Sequence, residues 1–285
     1  MKEKTKAYWA LLKPRLSFLV AFSASFGYLM GLEGSIPWFG FLALSLGGFF
    51  ISGASVIINQ VIEKDLDALM KRTQKRPLPA GILGQEDVIQ FGFVVGLLGF
   101  GLLLVFTNFL TAILSLFSLF LYGFIYTPLK RMGPIAVIVG AIPGALPPLL
   151  GWVAATGRLD FEGFVLFLVQ FVWQFPHFWA IAWVADEDYR KAGFSLLPSA
   201  QGRGFNSAIQ IALSTVFLIP VGLIPWQLGM TGLGSAIVVS IAAIAFLLPG
   251  ILLISRQDRK TALMIMFGSF IYLPVIQIAY MLDKF

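Results

Sequence analysis

Residues 162–185 read EGFVLFLVQFVWQFPHFWAIAWVA, and after Glu162 no charged side chain occurs until Asp186. As an α-helix rising about 1.5 Å per residue the run is about 36 Å long, enough to cross a hydrocarbon core of about 30 Å. It carries polar groups with it. Gln170, Gln174 and His177, the chain's only histidine, lie inside the run, and at about 100° per residue these three and Asp188 fall within about 60° of one another. One polar stripe therefore leads from Asp186-Glu187-Asp188 into the membrane. Such a face cannot meet lipid, and an ionisable group at that depth is a functional candidate facing the bundle interior. His177 lies about 13 Å deeper than Asp186.

Working outward, apolar runs of span length recur at about 16–32, 37–62, 87–106, 109–126, 133–155, 162–185, 205–228, 232–254 and 261–282. The expectation is an all-α integral membrane protein, a bundle of nine transmembrane helices forming a single domain over residues 1–285. Alternating ten-residue strands of a membrane barrel are absent. The composition agrees: 58% of the 285 residues are hydrophobic and 12% charged, the mean hydropathy is +0.88, and no length remains for a soluble domain. With no cysteine, disulfide frameworks, thiolate metal sites and cysteine nucleophiles are excluded. The basic start resembles a secretory signal, but the run from Leu16 to Leu32 exceeds the usual apolar core of about 7–15 residues. Gly140, Pro143, Gly144, Pro147 and Pro148 predict an irregular or kinked fifth span, buried in protein or lining a cavity.

Nine spans assign every basic residue to one of two sides. Lys2, Lys4, Lys6, Lys13 and Arg15 precede the first span, and Lys64, Lys71, Arg72, Lys75 and Arg76 follow the second. Lys130, Arg131, Arg190, Lys191, Arg203, Arg256, Arg259 and Lys260 fall on the same side, leaving only Arg158 and Lys284 opposite. The positive-inside rule then predicts a multi-pass protein of the bacterial cytoplasmic (inner) membrane, with the N-terminus cytoplasmic and the C-terminus outside. Membrane orientation accounts for the net charge of +6, and no nucleic-acid partner is expected.

Positive-inside orientation needs no acids, yet Glu63, Asp65, Asp67, Glu86, Asp87, Asp186, Glu187, Asp188 and Asp258 lie in the cytoplasmic connectors. If the second span continues as a helix, Asn59, Glu63 and Asp67 share an arc of about 80° while Asp65 points elsewhere. Two groups of hard oxygen donors at one membrane face, each flanked by Lys or Arg, suit Mg²⁺ bridging to a diphosphate. Arg72 and Arg76 would grip the anion as guanidinium forks and Lys130 as a point charge. A transporter is the rival from another class, but the acids cluster at one face and no inverted repeat is evident.

These residues resemble the UbiA superfamily of intramembrane prenyltransferases, over nearly the whole chain. Superfamily marks are Asn59, Glu63 and Asp67 at four-residue spacing, followed by Arg72, Thr73, Arg76 and Pro77, with Tyr126 and Lys130 and the opening Lys13-Pro14-Arg15. Its haem-farnesylating branch is suggested by Tyr126-Thr-Pro-Leu-Lys-Arg131, by Gly144-Ala-Leu-Pro-Pro-Leu-Leu-Gly-Trp152, and by Trp173-Gln-Phe-Pro-His-Phe-Trp179 with Glu187-Asp188-Tyr189. The resemblance implies a UbiA-type bundle and Mg²⁺-dependent transfer of a farnesyl group from farnesyl diphosphate to a vinyl group of haem B, giving haem O. It implies Asn59, Glu63, Asp67, Lys130 and Asp188 as catalytic, with Asp186 joining the metal donors. Lys13, Arg15, Arg72, Arg76, Tyr126, Arg131, Gln174, His177, Asp186, Tyr189, Arg190 and Lys191 become substrate-binding residues. Beyond the bilayer and the substrates, it implies a haem A synthase or terminal oxidase assembly factors as partners. An aromatic or quinone-precursor acceptor is the alternative. Two departures stand: Glu63 replaces an Asp of the stricter pattern, and Arg190, not Asp, sits four residues after Asp186.

Overall fold

The computed structural model describes residues 2–285 and, among them, holds no strand, only an isolated bridge between Thr231 and Lys284. α1 (Lys2–Leu11) leads into α2 (Pro14–Gly31), α3 (Trp38–Ile62), the short α4 (Lys64–Leu69), α5 (Gln85–Phe106) and α6 (Phe109–Phe120). α6 runs on through a π-turn at Leu121–Tyr126, α7 (Thr127–Leu129) and a 3-10 turn at Lys130–Met132. Then follow α8 (Ile135–Thr156), α9 (Phe161–Val184), α10 (Asp186–Lys191), α11 (Phe205–Val216), α12 (Leu218–Gln227), α13 (Leu233–Arg256) and α14 (Arg259–Leu282).

Among the described residues, eight stretches are long and apolar enough to cross a membrane, with 109–132 and 205–227 each counting as one. The expected ninth is α2, which has 18 residues but opens on Pro14 and Arg15, so its composition falls short by itself. Burial in the bundle compensates, since α2 packs against α3 and α8. Several spans start where the sequence supplies a cap: Asn108 accepts from Thr111 N, Asp160 from Gly163 N and Asp258 from Thr261 N. Large apolar side chains such as Phe93, Leu97, Ile241 and Leu248 point outward, as lipid-facing positions require.

The prolines of the fifth span predict an irregular or kinked helix, and they do not interrupt it. α8 is continuous through Pro143, Pro147 and Pro148. Its irregularity takes another form: Pro148 has no N–H, so the Gly144 carbonyl four residues earlier loses its helical donor and is free for a neighbouring side chain. α8 and α2 also touch backbone to backbone. A Cβ at Gly27 would strike the Pro148 carbonyl, and one at Gly151 the Ala24 carbonyl. In a bilayer, where helices gain little from the hydrophobic effect, such small-residue contacts carry the association.

The connectors sort to two ends. At one end Glu63, Lys130, Arg72 and Asp188 meet across three loops. At the other, Lys284 donates to the carbonyls of Leu29 (2.7 Å) and Leu32 (2.6 Å) at the close of α2.

Candidate active site

α3 ends at Ile62, and the chain continues through Glu63 into α4 with its hydrogen bonding intact: Glu63 N donates to Asn59 O and Asp67 N to Glu63 O. The four-residue period is thereby kept across the junction. Asn59, Glu63 and Asp67 are 2%, 4% and 1% exposed, whereas Asp65 faces solvent. Buried carboxylates demand partners. Lys130 Nζ lies 2.8 Å from Glu63 Oε1 and donates to Oε2 at 3.0 Å, while Arg76 Nη1 pairs with Asp67 Oδ2. The Asn59 amide donates to Thr127 Oγ1 at 3.2 Å, and Thr127 in turn donates to the Tyr122 carbonyl, so the amide oxygen is left for another partner. Asp67 Oδ1 is buried with no hydrogen-bond partner.

Lys13 joins this cluster from the turn before α2. It is in the left-handed region (φ 43, ψ 63), a conformation costing a non-glycine residue about 1–2 kcal/mol and one enforced here by the following Pro14, which disfavours the right-handed helical region. Burial, then the charges of Arg76 and Lys130, lower its amine to about 7 against the opposing pull of Asp67 and Glu63. The amine of Lys13, the cations Arg76 and Lys130, two carboxylates and an amide oxygen thus share one site.

The second acidic group divides. Asp186 is buried and held by Arg190 Nε at 3.0 Å and Arg203 Nε at 3.8 Å, and Glu187 pairs with Arg203. Asp188 alone reaches the first connector, accepting from Arg72 N at 3.4 Å, with Lys191 Nζ at 3.5 Å. Desolvation raises the Asp188 carboxyl, but the backbone N–H groups of Arg72 and Lys71 and the charge of Lys191 outweigh it, so its pKa is lowered. The Arg72 guanidinium also lies 4.4 Å above the Tyr189 ring, and Lys130 Nζ 4.9 Å from the Tyr126 ring. Arg15 and Arg131 are exposed and are not brought to the acids.

Directly beneath lies a chamber with about 1220 Å³ of atom-free space, part of it open to the surroundings. Ser55 and Tyr122, one turn before Asn59 and Tyr126, line its upper wall, and Gln174 and His177 its flank. Its lining contains no Asp, Glu, Lys or Arg. Gln170 Nε2 donates at 2.8 Å to the Gly144 carbonyl that Pro148 frees, and Gln170 Oε1 accepts from Gln277 Nε2 at 2.9 Å, so this residue fastens helices. Gln170, Gln174 and His177 all line the chamber. Sequence reasoning missed Ser23, Thr127, Ser269 and Gln277, although Gln277, an amide inside an apolar span, carried the signal.

Among the described residues no group of three or more His, Cys, Asp or Glu could hold a metal. The set at the α3–α4 junction fits Mg²⁺ nonetheless, because that ion is bound by one or two carboxylates together with phosphate oxygens. The orphaned Asp67 Oδ1 and the free Asn59 oxygen are hard donors of the right kind.

Residues 20–273 match the UbiA prenyltransferase family. The chain belongs to this family. A UbiA relative from Cytophaga hutchinsonii, named protoheme IX farnesyltransferase, is 46% identical over 284 residues, covering 100% of this chain and 99% of its own. One of the same name from Christiangramia forsetii is 43% identical over 278 residues, 96% and 91% of the two chains. A solved UbiA homologue from Archaeoglobus fulgidus bound to GPP and Mg²⁺ superposes with a TM-score of 0.68 at 17% identity over 96% and 99% of the two chains. A structure described as digeranylgeranylglyceryl phosphate synthase reaches 0.80 at 20% identity over 99% and 98%. The all-helical bundle is thus the UbiA fold, and the chain is a membrane-spanning UbiA prenyltransferase.

Proposed function

We propose that this UbiA member transfers the farnesyl group of farnesyl diphosphate to a vinyl group of haem B, forming haem O, with the site opening to the cytoplasm. The observation that carries the reading is the stacking of a charged, oxygen-rich mouth on an uncharged chamber, with Ser55 and Tyr122 one turn below Asn59 and Tyr126. The full-length relatives named protoheme IX farnesyltransferase support the choice of substrates.

Asn59, Glu63 and Asp67, with Asp188 from the second connector, would hold Mg²⁺, for which the GPP- and Mg²⁺-bound homologue offers family support. When bound there, Mg²⁺ offsets negative charge developing on the leaving diphosphate. Arg76 and Lys130 add positive charge at the same mouth, Lys13 joins them when its amine is protonated, and Arg72 lies above. The C–O bond breaks with its electron pair going to the diphosphate. The Tyr122 and Tyr126 rings, with centroids 5.2 Å apart, present π faces to the positive carbon left behind. Below them the apolar chamber keeps water from that cation until the vinyl carbon attacks. Water then adds to the cation on the former vinyl group and releases a proton.

The direct test is purified protein with haem B, farnesyl diphosphate and Mg²⁺, read by product mass. A product heavier by one farnesyl group and one hydroxyl group is expected; no haem product, or prenylation of a phenolic quinone precursor in its place, overturns the reading. Orientation is tested by cysteine labelling, clean in a chain with no cysteine. A cysteine at Lys75 should react only from the cytoplasmic side, and one at Arg158 only from outside; the reverse pattern would overturn the orientation.

A further inference from the structure

We infer that His177 is the ligand that binds the iron of the haem acceptor, and that Ser269 positions it by fixing which ring nitrogen carries the proton; this rests on the haem reading above. Ser269 Oγ donates to the Met266 carbonyl of its own helix at 2.6 Å. With its single hydrogen so committed, that oxygen accepts from His177 Nδ1, 2.7 Å away. In the tautomer we assign on this basis, the proton sits on Nδ1 and the lone pair on Nε2. Nε2 has no hydrogen bond among the described residues and is not among the buried polar atoms closed off from space, while His177, 9% exposed, lines the chamber. Its free lone pair points into that space.

The ring has little freedom. Trp173 stacks on it at 4.4 Å and 18°, and Phe270 meets it edge-on at 5.1 Å. Trp173 is itself held by its Nε1–H donating to the Ser269 carbonyl at 3.1 Å. One serine thus anchors the imidazole by its side chain and the stacked indole by its backbone. A neutral imidazole, oriented by the hydrogen bond of its other N–H and offering Nε2 to an apolar chamber, is held as a metal-binding histidine is held. A general base would need an onward path for its proton. Here the path from Nδ1 through Ser269 ends at a helical carbonyl, and no Asp, Glu, Lys or Arg lines the chamber.

The test is titration of the purified full chain with ferric haem B and, separately, with metal-free protoporphyrin IX, followed by absorbance and electron paramagnetic resonance. Wild-type protein should give an imidazole-ligated haem spectrum. His177→Ala should lose it, and His177→Gly should regain it with added imidazole. Ser269→Ala should shift the spectrum and weaken haem binding roughly 10- to 100-fold. In all three variants the affinities for protoporphyrin IX and for a farnesyl diphosphate analogue should stay at the wild-type level, a pattern that a merely structural histidine or serine would not give. An identical haem spectrum in wild type and His177→Ala, or equal loss of haem and protoporphyrin binding, overturns the assignment while leaving the haem product assay intact. Absence of both haem binding and haem product in the wild type overturns the function and this assignment together.

Discussion

Asp67→Ala is expected to lower turnover by about a thousandfold or more while the protein still inserts and keeps its fold. Asp67 is 1% exposed, and its Oδ1 has no protein partner, so this oxygen is available for a cation that must neutralise the leaving diphosphate. Such charge stabilisation is worth several kcal/mol, and each ~1.4 kcal/mol is a tenfold change in rate. Asp188→Ala should act in the same direction, because Asp188 is the second-connector carboxylate that contacts the first connector through Arg72. Excess chelator should abolish activity in the wild type. Product formation by single-turnover assay, with thermal stability followed in parallel, checks the result. Full activity in chelator or in either variant would remove the metal from the reading.

The second large effect is on stability. Lys130→Ala should destabilise the protein by about 3–5 kcal/mol, since it strands the Glu63 carboxylate in a buried position. The two side chains are 11% and 5% exposed, so water offers little replacement. A fall in Tm on the order of 10 °C is expected. Glu63→Ala should cost a similar amount by stranding the ammonium, whereas the double variant should recover much of the loss, because removing both charges also removes their desolvation cost. Neither single nor double variant should turn over substrate. Single variants as stable as the wild type, or a double variant no better than the sum of the two, would show that the pair is not a buried unit.

That pair also marks the boundary of what the chain's order of residues reveals. The spans were legible because a bilayer leaves the backbone no hydrogen-bonding partner but itself, so about 20 apolar residues impose a helix wherever they occur. Which connectors share an end was legible for the same reason, since successive loops must alternate between the two ends of the bundle. The burial of Asn59, Glu63 and Asp67 against an exposed Asp65 followed from helical period alone. Only α2 escaped a strict count, because Pro14 and Arg15 dilute its hydropathy and its burial comes from neighbouring helices.

Partner choice belonged to the tertiary structure. Lys130 meets Glu63 across 67 positions and His177 meets Ser269 across 92, separations at which no periodicity survives. The α9 stripe placed Gln170, Gln174 and His177 on one face and all three line the chamber, yet only packing gave Gln170 to the Gly144 carbonyl and His177 to Ser269. Asp186 and Asp188 are near-equivalent in sequence, and their difference arises from Arg190 and Arg203 closing on one while Arg72 N–H reaches the other. Local sequence sets which groups a helix face offers. Which of them remain unpaired is settled by the close approach of α2 and α8 at Gly27 and Gly151 and by the carbonyl that Pro148 leaves free, because a buried polar group takes whatever partner packing brings within reach.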